Sequence, residues 1–412
     1  MNEPASRWGR RCPWVRVAAL AFGLVLGGCG EPNAESVASP GVSAVAPVAA
    51  QPFESAMPPA PNVAPPLVDR TVHSVPLADV VFDTFRGGYV RLSEATPGTI
   101  EALRDAISPI YRPRYGGILA GAWLADDDLV IGYHGRTDTY AYPLKILNFH
   151  EIVNEFIGDI PVLISYCPLC GSGVVFDRRV DGKTLLFGNT SALYENDMVM
   201  YDHQTGSYWF QVGGEAIVGS LTGSRLSLLA SVTTTWGQWR RAYPETRILH
   251  RDQGLNGAAA YDRDPFARYP EMLNRRQFPF PINQERIGDD LRAGEVVITL
   301  RINGTEKVYA PRLFGRSVVN DTVGGMPVVV FAKSKESLGW AFNRQLDGRT
   351  LTFESTDHGI IDLETRSTWA IHGLATAGRL QGRRLEGLPS RRAFWFSVSI
   401  ALPHAPVYGQ EK

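Results

Sequence analysis

Two stretches of this chain repeat one another at a spacing of 166 residues. Ile160-Pro161-Val162-Leu163-Ile164 superposes on Met326-Pro327-Val328-Val329-Val330, Val153-Asn154-Glu155 on Val319-Asn320-Asp321, and Gly158 on Gly324. Val180-Asp181-Gly182-Lys183-Thr184-Leu185 falls on Leu346-Asp347-Gly348-Arg349-Thr350-Leu351. After a six-residue deletion, Asp202, Thr205, Ser207 and Trp209 meet Asp362, Thr365, Ser367 and Trp369. One further deletion brings Gly214, Gly219 and Gly223 onto Gly373, Gly378 and Gly382. Ordered matches over about 70 residues predict two divergent copies of one fold.

Within a copy the pattern is β-rich. Leu129–Tyr133, Ile160–Tyr166, Gly173–Asp177, Thr184–Phe187, Met198–Tyr201 and Ser207–Gln211 are short β-branched and aromatic runs between turn signals. Asp181-Gly182 and Asp347-Gly348 each separate two such runs, which predicts a tight hairpin. Helical patterns are fewer: Thr99–Ile107, Leu144–Ile157 and Thr233–Ala242. In the middle one Leu147, His150, Val153, Asn154 and Ile157 share a helix face. The expected class is α+β, predominantly β: a tandem duplication of a β-rich repeat with a few short helices.

The ends of the chain read differently. Arg7, Arg10, Arg11 and Arg16 precede an apolar run from Val17 to Leu26 and then Leu26-Gly27-Gly28-Cys29. A basic region, a short apolar core and small residues at a cleavage point make a secretory signal. The ending resembles the lipobox of bacterial lipoproteins, which predicts a signal peptide over 1–28 and acylation of Cys29. Residues 29–76, rich in Pro and Ala, read as an extended tether. Repeat one is expected over 77–246, a proline-interrupted connection over 247–295 and repeat two over 296–412. The predicted location is the cell envelope, lipid-anchored and extracytoplasmic, on the periplasmic face in a Gram-negative cell. The formal net charge is −1, so no global positive field exists to hold a polyanion and no nucleic-acid partner is expected.

The chain has four Cys. Cys12 leaves with the signal and Cys29 is the lipid anchor, so the globular part keeps only Cys167 and Cys170, in Tyr166-Cys167-Pro168-Leu169-Cys170-Gly171. Copy two reads Phe331-Ala332-Lys333-Ser334 there, without a thiol. A pair needed for the fold should recur in both copies, so the pair is read as a site. Two thiolates three positions apart chelate one metal, and Pro with Gly suits a knuckle turn. A redox dithiol is the competing use, although such motifs open a helix and a strand-like run follows here. A structural disulfide is the third. For the metal, His150 is the first candidate to complete the shell, with His203, His134 and Met198 behind it. Glu151 and Glu215 are candidate proton-transfer groups. Thiolates with an imidazole suit copper or zinc, and an incomplete shell leaves a place for water, oxygen or substrate.

Several segments together resemble the family called domain of unknown function 3179. They are Asn148-Phe149-His150-Glu151-Ile152-Val153-Asn154, Tyr166-Cys167-Pro168-Leu169-Cys170-Gly171, Val199-Met200-Tyr201-Asp202, Gly214-Glu215-Ala216-Ile217-Val218-Gly219 and Leu346-Asp347-Gly348-Arg349-Thr350-Leu351-Thr352-Phe353. The likeness runs from about residue 120 to 400; Phe149 stands where a Trp is expected, and Ser191-Ala192-Leu193 departs from Ser-Gly-Leu. The resemblance implies a coherent fold, often exported, and no particular activity. The first functional expectation is a membrane-anchored metal-binding protein doing redox or metal-assisted chemistry on a small-molecule or exported protein substrate. The others are a thiol–disulfide oxidoreductase using Cys167 and Cys170, and a binding lipoprotein with Trp209, Trp236, Trp239 and Trp369 lining a groove.

Overall fold

The computed structural model describes residues 53–54, 64–255, 260–314, 317–357 and 359–410. The expected signal peptide, Cys29 and most of the expected tether lie outside the described residues. Among the described residues no helix is long and apolar enough to cross a membrane.

The fold is predominantly β with short helices, as the alternating patterns predict. Helix α1 spans Leu144–His150 and leads into a meander of β1 (Ile152–Ile157), β2 (Ile160–Cys167) and β3 (Ser172–Asp177). The next meander is β4 (Phe187–Tyr194), β5 (Asp197–Asp202) and β6 (Tyr208–Phe210), and β7 (Ser231–Thr235) follows. In the second half β8 (Val318–Val323), β9 (Met326–Lys333) and β10 (Leu338–Asn343) have bounds 166 residues beyond those of β1, β2 and β3. The last strand is β11 (Ser390–Phe394).

Both Asp-Gly hairpins form. Asp181 and Gly182 take φ of 48° and 74°, and Asp347 and Gly348 take 51° and 73°. Both central residues at positive φ match the right-handed twist of the flanking strands. The Asp–Trp pattern also recurs as contacts. Asp202 accepts from the Thr205 amide (2.6 Å) and Trp209 Nε1 (3.0 Å), and Asp362 accepts from the Thr365 amide (2.6 Å) and Trp369 Nε1 (2.9 Å).

The helix expected over Leu144–Ile157 stops at His150. Glu151 takes φ of 56° while its amide still donates to Leu147 O, and the β-branched pair Ile152-Val153 continues as a strand registered with Ser165 and Ile164. Helical spacing and strand pairing compete over Val153–Ile157, and the partner strand wins. The patch over Thr233–Ala242 likewise divides into β7 and a helix from Trp236, with the Thr235 hydroxyl accepting from the Gln238 amide. The connection expected to be irregular contributes a strand, Arg247–Leu249, and a helix, Tyr269–Asn274. Residues 64–76, assigned to the tether by composition, lie along the first half: Val68 is buried in its core, and Arg70 donates to Leu92 O and Ala95 O.

What positions the site is a seven-stranded sheet built from both halves. Its order is Thr305–Tyr309, Val296–Ile302, β11, β3, β2, β1, with Ser227–Leu228 also paired to β3. Arg392 of β11 registers with Gly173 of β3. A six-stranded sheet places β4, β5 and β6 side by side. One buried cluster joins Cys167, Cys170, Met198 and Trp209 to Phe394 and Phe396.

Candidate metal centre

Strand β2 ends on Cys167 and β3 begins on Ser172, its register partner. Between them Cys170 N–H donates to Cys167 O (3.2 Å) and Gly171 N–H to Pro168 O (3.3 Å), so the four residues close a tight turn. Gly171 sits at φ 58°, where any side chain is strained, and a Cβ there would lie 2.8 Å from the Phe394 ring. Phe394 N–H also donates to Cys170 O (2.7 Å), so β11 closes the turn from the far half. No helix starts at the motif.

The equivalent turn in the second half is built without thiols. Ser337 takes φ 51° and donates to Ser334 O (3.3 Å). Lys333 and Glu336, at the positions matching the two cysteines, form an ion pair of 3.7 Å.

The third group arrives from the other sheet. Glu195 and Asn196, at φ 51° and 61°, make the tight turn from β4 to β5, and Asp197 follows. That turn is held from the connection: Asn196 Nδ2 donates to the Tyr269 hydroxyl (2.8 Å), and Glu195 pairs with Arg286 (2.8 Å). Asp197 Oδ1 accepts from Cys170 Sγ (3.0 Å) and Oδ2 from Val212 N–H (2.9 Å). One ligand atom from each of Cys167, Cys170 and Asp197 lies within 4.8 Å of the others, and all three residues are buried. Both cysteines are free.

Burial governs the electrostatics. It pushes the Cys167 thiol up to about 11, with the charges of Asp197 and Glu151 adding to the rise, and it holds Cys170 well above the usual thiol range. Asp197 is pushed up to about 6 and Glu151 to about 8, again chiefly by burial. Glu151 turns its carboxyl inward, where Oε2 accepts from Asn189 Nδ2 (2.6 Å). The same Asn189 amide lies 3.6 Å from Met198 Sδ. Two thiols and the Asp197 carboxyl are thus packed away from water, with the half-buried Glu151 beside them.

The other residues singled out from sequence fall elsewhere. His150 ends α1 with both ring nitrogens engaged: Nδ1 donates to Ser108 O (2.7 Å) and Nε2 accepts from the Tyr261 hydroxyl (2.6 Å). It is outside the three-residue cluster because α1 ends there and Glu151 redirects the chain. His203 faces Tyr111 and Tyr201. His134 lies beside Tyr243, with ring centroids 5.6 Å apart. Glu215 forms an ion pair with Arg225. Trp209, Trp236, Trp239 and Trp369 are core residues and line no groove, because each indole finds its apolar area and, in three cases, its N–H partner inside. Sequence reasoning missed Asp197, since Glu195-Asn196-Asp197 reads as turn chemistry.

Fold and site together define a predominantly β protein with a buried thiol–carboxylate cluster on a hairpin turn. The chain belongs to the family described as protein of unknown function (DUF3179), whose model matches residues 104–404. No curated protein and no solved structure matches it.

Proposed function

We propose that the chain is a membrane-anchored, extracytoplasmic metalloprotein that holds zinc or copper at Cys167, Cys170 and Asp197. One observation carries this reading: the two thiols and Asp197 are buried together beside Glu151, and the neighbouring charges that most affect the thiols have the same sign. A divalent cation offsets that repulsion and draws the thiol protons off. Two sulfurs and one carboxylate oxygen are a zinc donor set with one position open, and the oxygen favours zinc over a purely soft ion such as copper(I). The turn in the second half forms without cysteines, which supports a chemical role for the pair. The anchor rests on the signal before Cys29.

A metal held there supplies Lewis-acid polarisation of a bound water or substrate oxygen. Glu151, protonated near neutral pH by its burial, holds a proton at its carboxyl beside the cluster and serves as acid or base. Asn189 fixes the orientation of that carboxyl. The burial of all three residues limits what reaches the centre to water or a small molecule. The same burial weighs against thiol exchange with protein partners, which needs an accessible thiolate. We also infer that the two halves arose by duplication, the second keeping the hairpins while an ion pair replaced the thiols.

The intact chain, analysed for metal by mass spectrometry, is expected to hold about one zinc or copper ion. Cys167→Ser, Cys170→Ser and Asp197→Asn should each lose it, and His150→Gln should keep it. No metal after anaerobic loading with either ion would sink the reading and leave the dithiol, to be tested by its reduction potential.

A further inference from the structure

A second set of donors converges away from the thiols. Tyr111 Oη lies 2.7 Å from Asp105 Oδ2 and 2.8 Å from His203 Nε2. Tyr201 Oη lies 3.1 Å from the same carboxylate oxygen and 3.3 Å from the same imidazole nitrogen. Four different side chains therefore bring one donor atom each into a ring of contacts between 2.7 and 3.3 Å. Tyr201 and His203, two apart along the chain, project to one side and stack with centroids 5.1 Å apart. Asp105 is fixed from behind, its Oδ1 accepting from Asn189 N–H (2.8 Å).

We propose that Asp105, Tyr111, Tyr201 and His203 form a binding site for a hard trivalent cation, ferric iron, distinct from the thiol centre. The spacing fits: ligands ~2.0 Å from a metal stand ~2.8 Å apart along octahedral edges and ~3.3 Å along tetrahedral ones. The four contacts span that range. The charge fits as well. One carboxylate and two phenolates neutralise three positive charges, and imidazole completes a set of oxygen and nitrogen donors that soft ions disfavour. Burial, with the charge of Asp105 beside them, pushes both phenols well above the usual value near 10, so they give up their protons only to a strongly polarising ion, which selects a trivalent cation over calcium or magnesium. The Arg104 guanidinium, held by Pro65 O and Pro66 O, lies over the Tyr201 ring at 5.0 Å and eases ionisation of that phenol, while its charge opposes the incoming cation, so the two phenolates and the carboxylate must carry the binding. Asp105, Tyr111 and His203 each keep some exposed surface through which an ion can enter. Binding is balanced by release of two phenol protons to solvent, with no electron transferred.

Without a metal the same atoms make a closed knot, two hydroxyl donors for two acceptors, and the experiment separates the two roles. Ferric nitrilotriacetate is titrated into the intact chain and into a Cys167→Ser/Cys170→Ser variant. Both should develop a phenolate-to-iron band in the visible, saturating near one equivalent, with about two protons released per ion and tyrosinate vibrations enhanced in resonance Raman. Tyr111→Phe and Tyr201→Phe should each weaken ferric retention at least tenfold, the scale of losing a supporting contact in a metal site, and the double variant should lose the band. Absence of a band in the intact chain overturns the proposal without recourse to any variant. So does a band that survives the double Tyr→Phe change. A band lost with the cysteines instead assigns the iron to the thiol centre and removes this site, so the two readings fail separately.

Discussion

Asp197 carries a carboxylate into a place where water cannot reach it, and the cost is legible in its titration. Its pKa is raised to about 6 in the fold, as that of Glu151 is to about 8. In the unfolded chain both sit near 4. A raised carboxyl keeps its proton in the folded state longer than in the unfolded one. It leaves stability whole below about pH 4 and removes it as pH rises through the folded pKa. Metal-free protein should therefore lose stability between about pH 4 and pH 8, at up to ~1.4 kcal/mol per pH unit for each group. Urea unfolding in chelator at several pH values checks this, and Asp197→Asn should flatten the lower part of the fall. Loaded protein should run the other way, because the metal competes with protons. Glu151→Gln, which can still accept from Asn189, should keep the metal while removing any activity or affinity step near pH 8. The thiols of this site were readable in the sequence because the matching segment 166 residues further on lacks them. Asp197 was not, since a carboxylate after Glu195-Asn196 looks like any turn residue until β5 is set against the hairpin.

Two hairpin turns with one backbone shape give a controlled comparison at the level of the element. Gly171 and Ser337 both occupy the left-handed region, at φ 58° and 51°. Gly171→Ala adds a Cβ that meets the Phe394 ring and should cost about 1–3 kcal/mol, together with the metal. Ser337→Gly relieves strain at the matching position and should stabilise by about 0.5–1 kcal/mol. Denaturant midpoints of the two variants measure both signs, and equal effects would remove the backbone argument. The strands themselves were legible, because alternating apolar residues and the Asp-Gly pairs fix period and register together. The end of α1 was not. Leu147, His150, Val153 and Ile157 satisfy helical spacing, and only the pairing of Ile152–Ile157 with β2 decides against it.

The whole molecule is joined through the middle of a sheet rather than through a linker. β11, near the end of the described chain, pairs with β3 and stands over Cys170. A chain ending before Val296 keeps all three thiol-site ligands and should still fail to hold the metal, because the roof of the turn is gone. Mass spectrometry on that truncation decides the point: retained metal would make the second half dispensable to the centre. The halves also meet where Ser390 Oγ donates to Ser231 O (3.3 Å), the first residues of β11 and β7.

Sharing a sheet this way makes the second half resemble a subunit that has lent strands to a neighbour. Covalent linkage keeps the partner always present, at a local concentration that dilution cannot change. A first half on its own would have to find its partner before it could shelter a thiol. Within one chain that encounter is unimolecular, and a folding rate that does not depend on protein concentration is its kinetic signature.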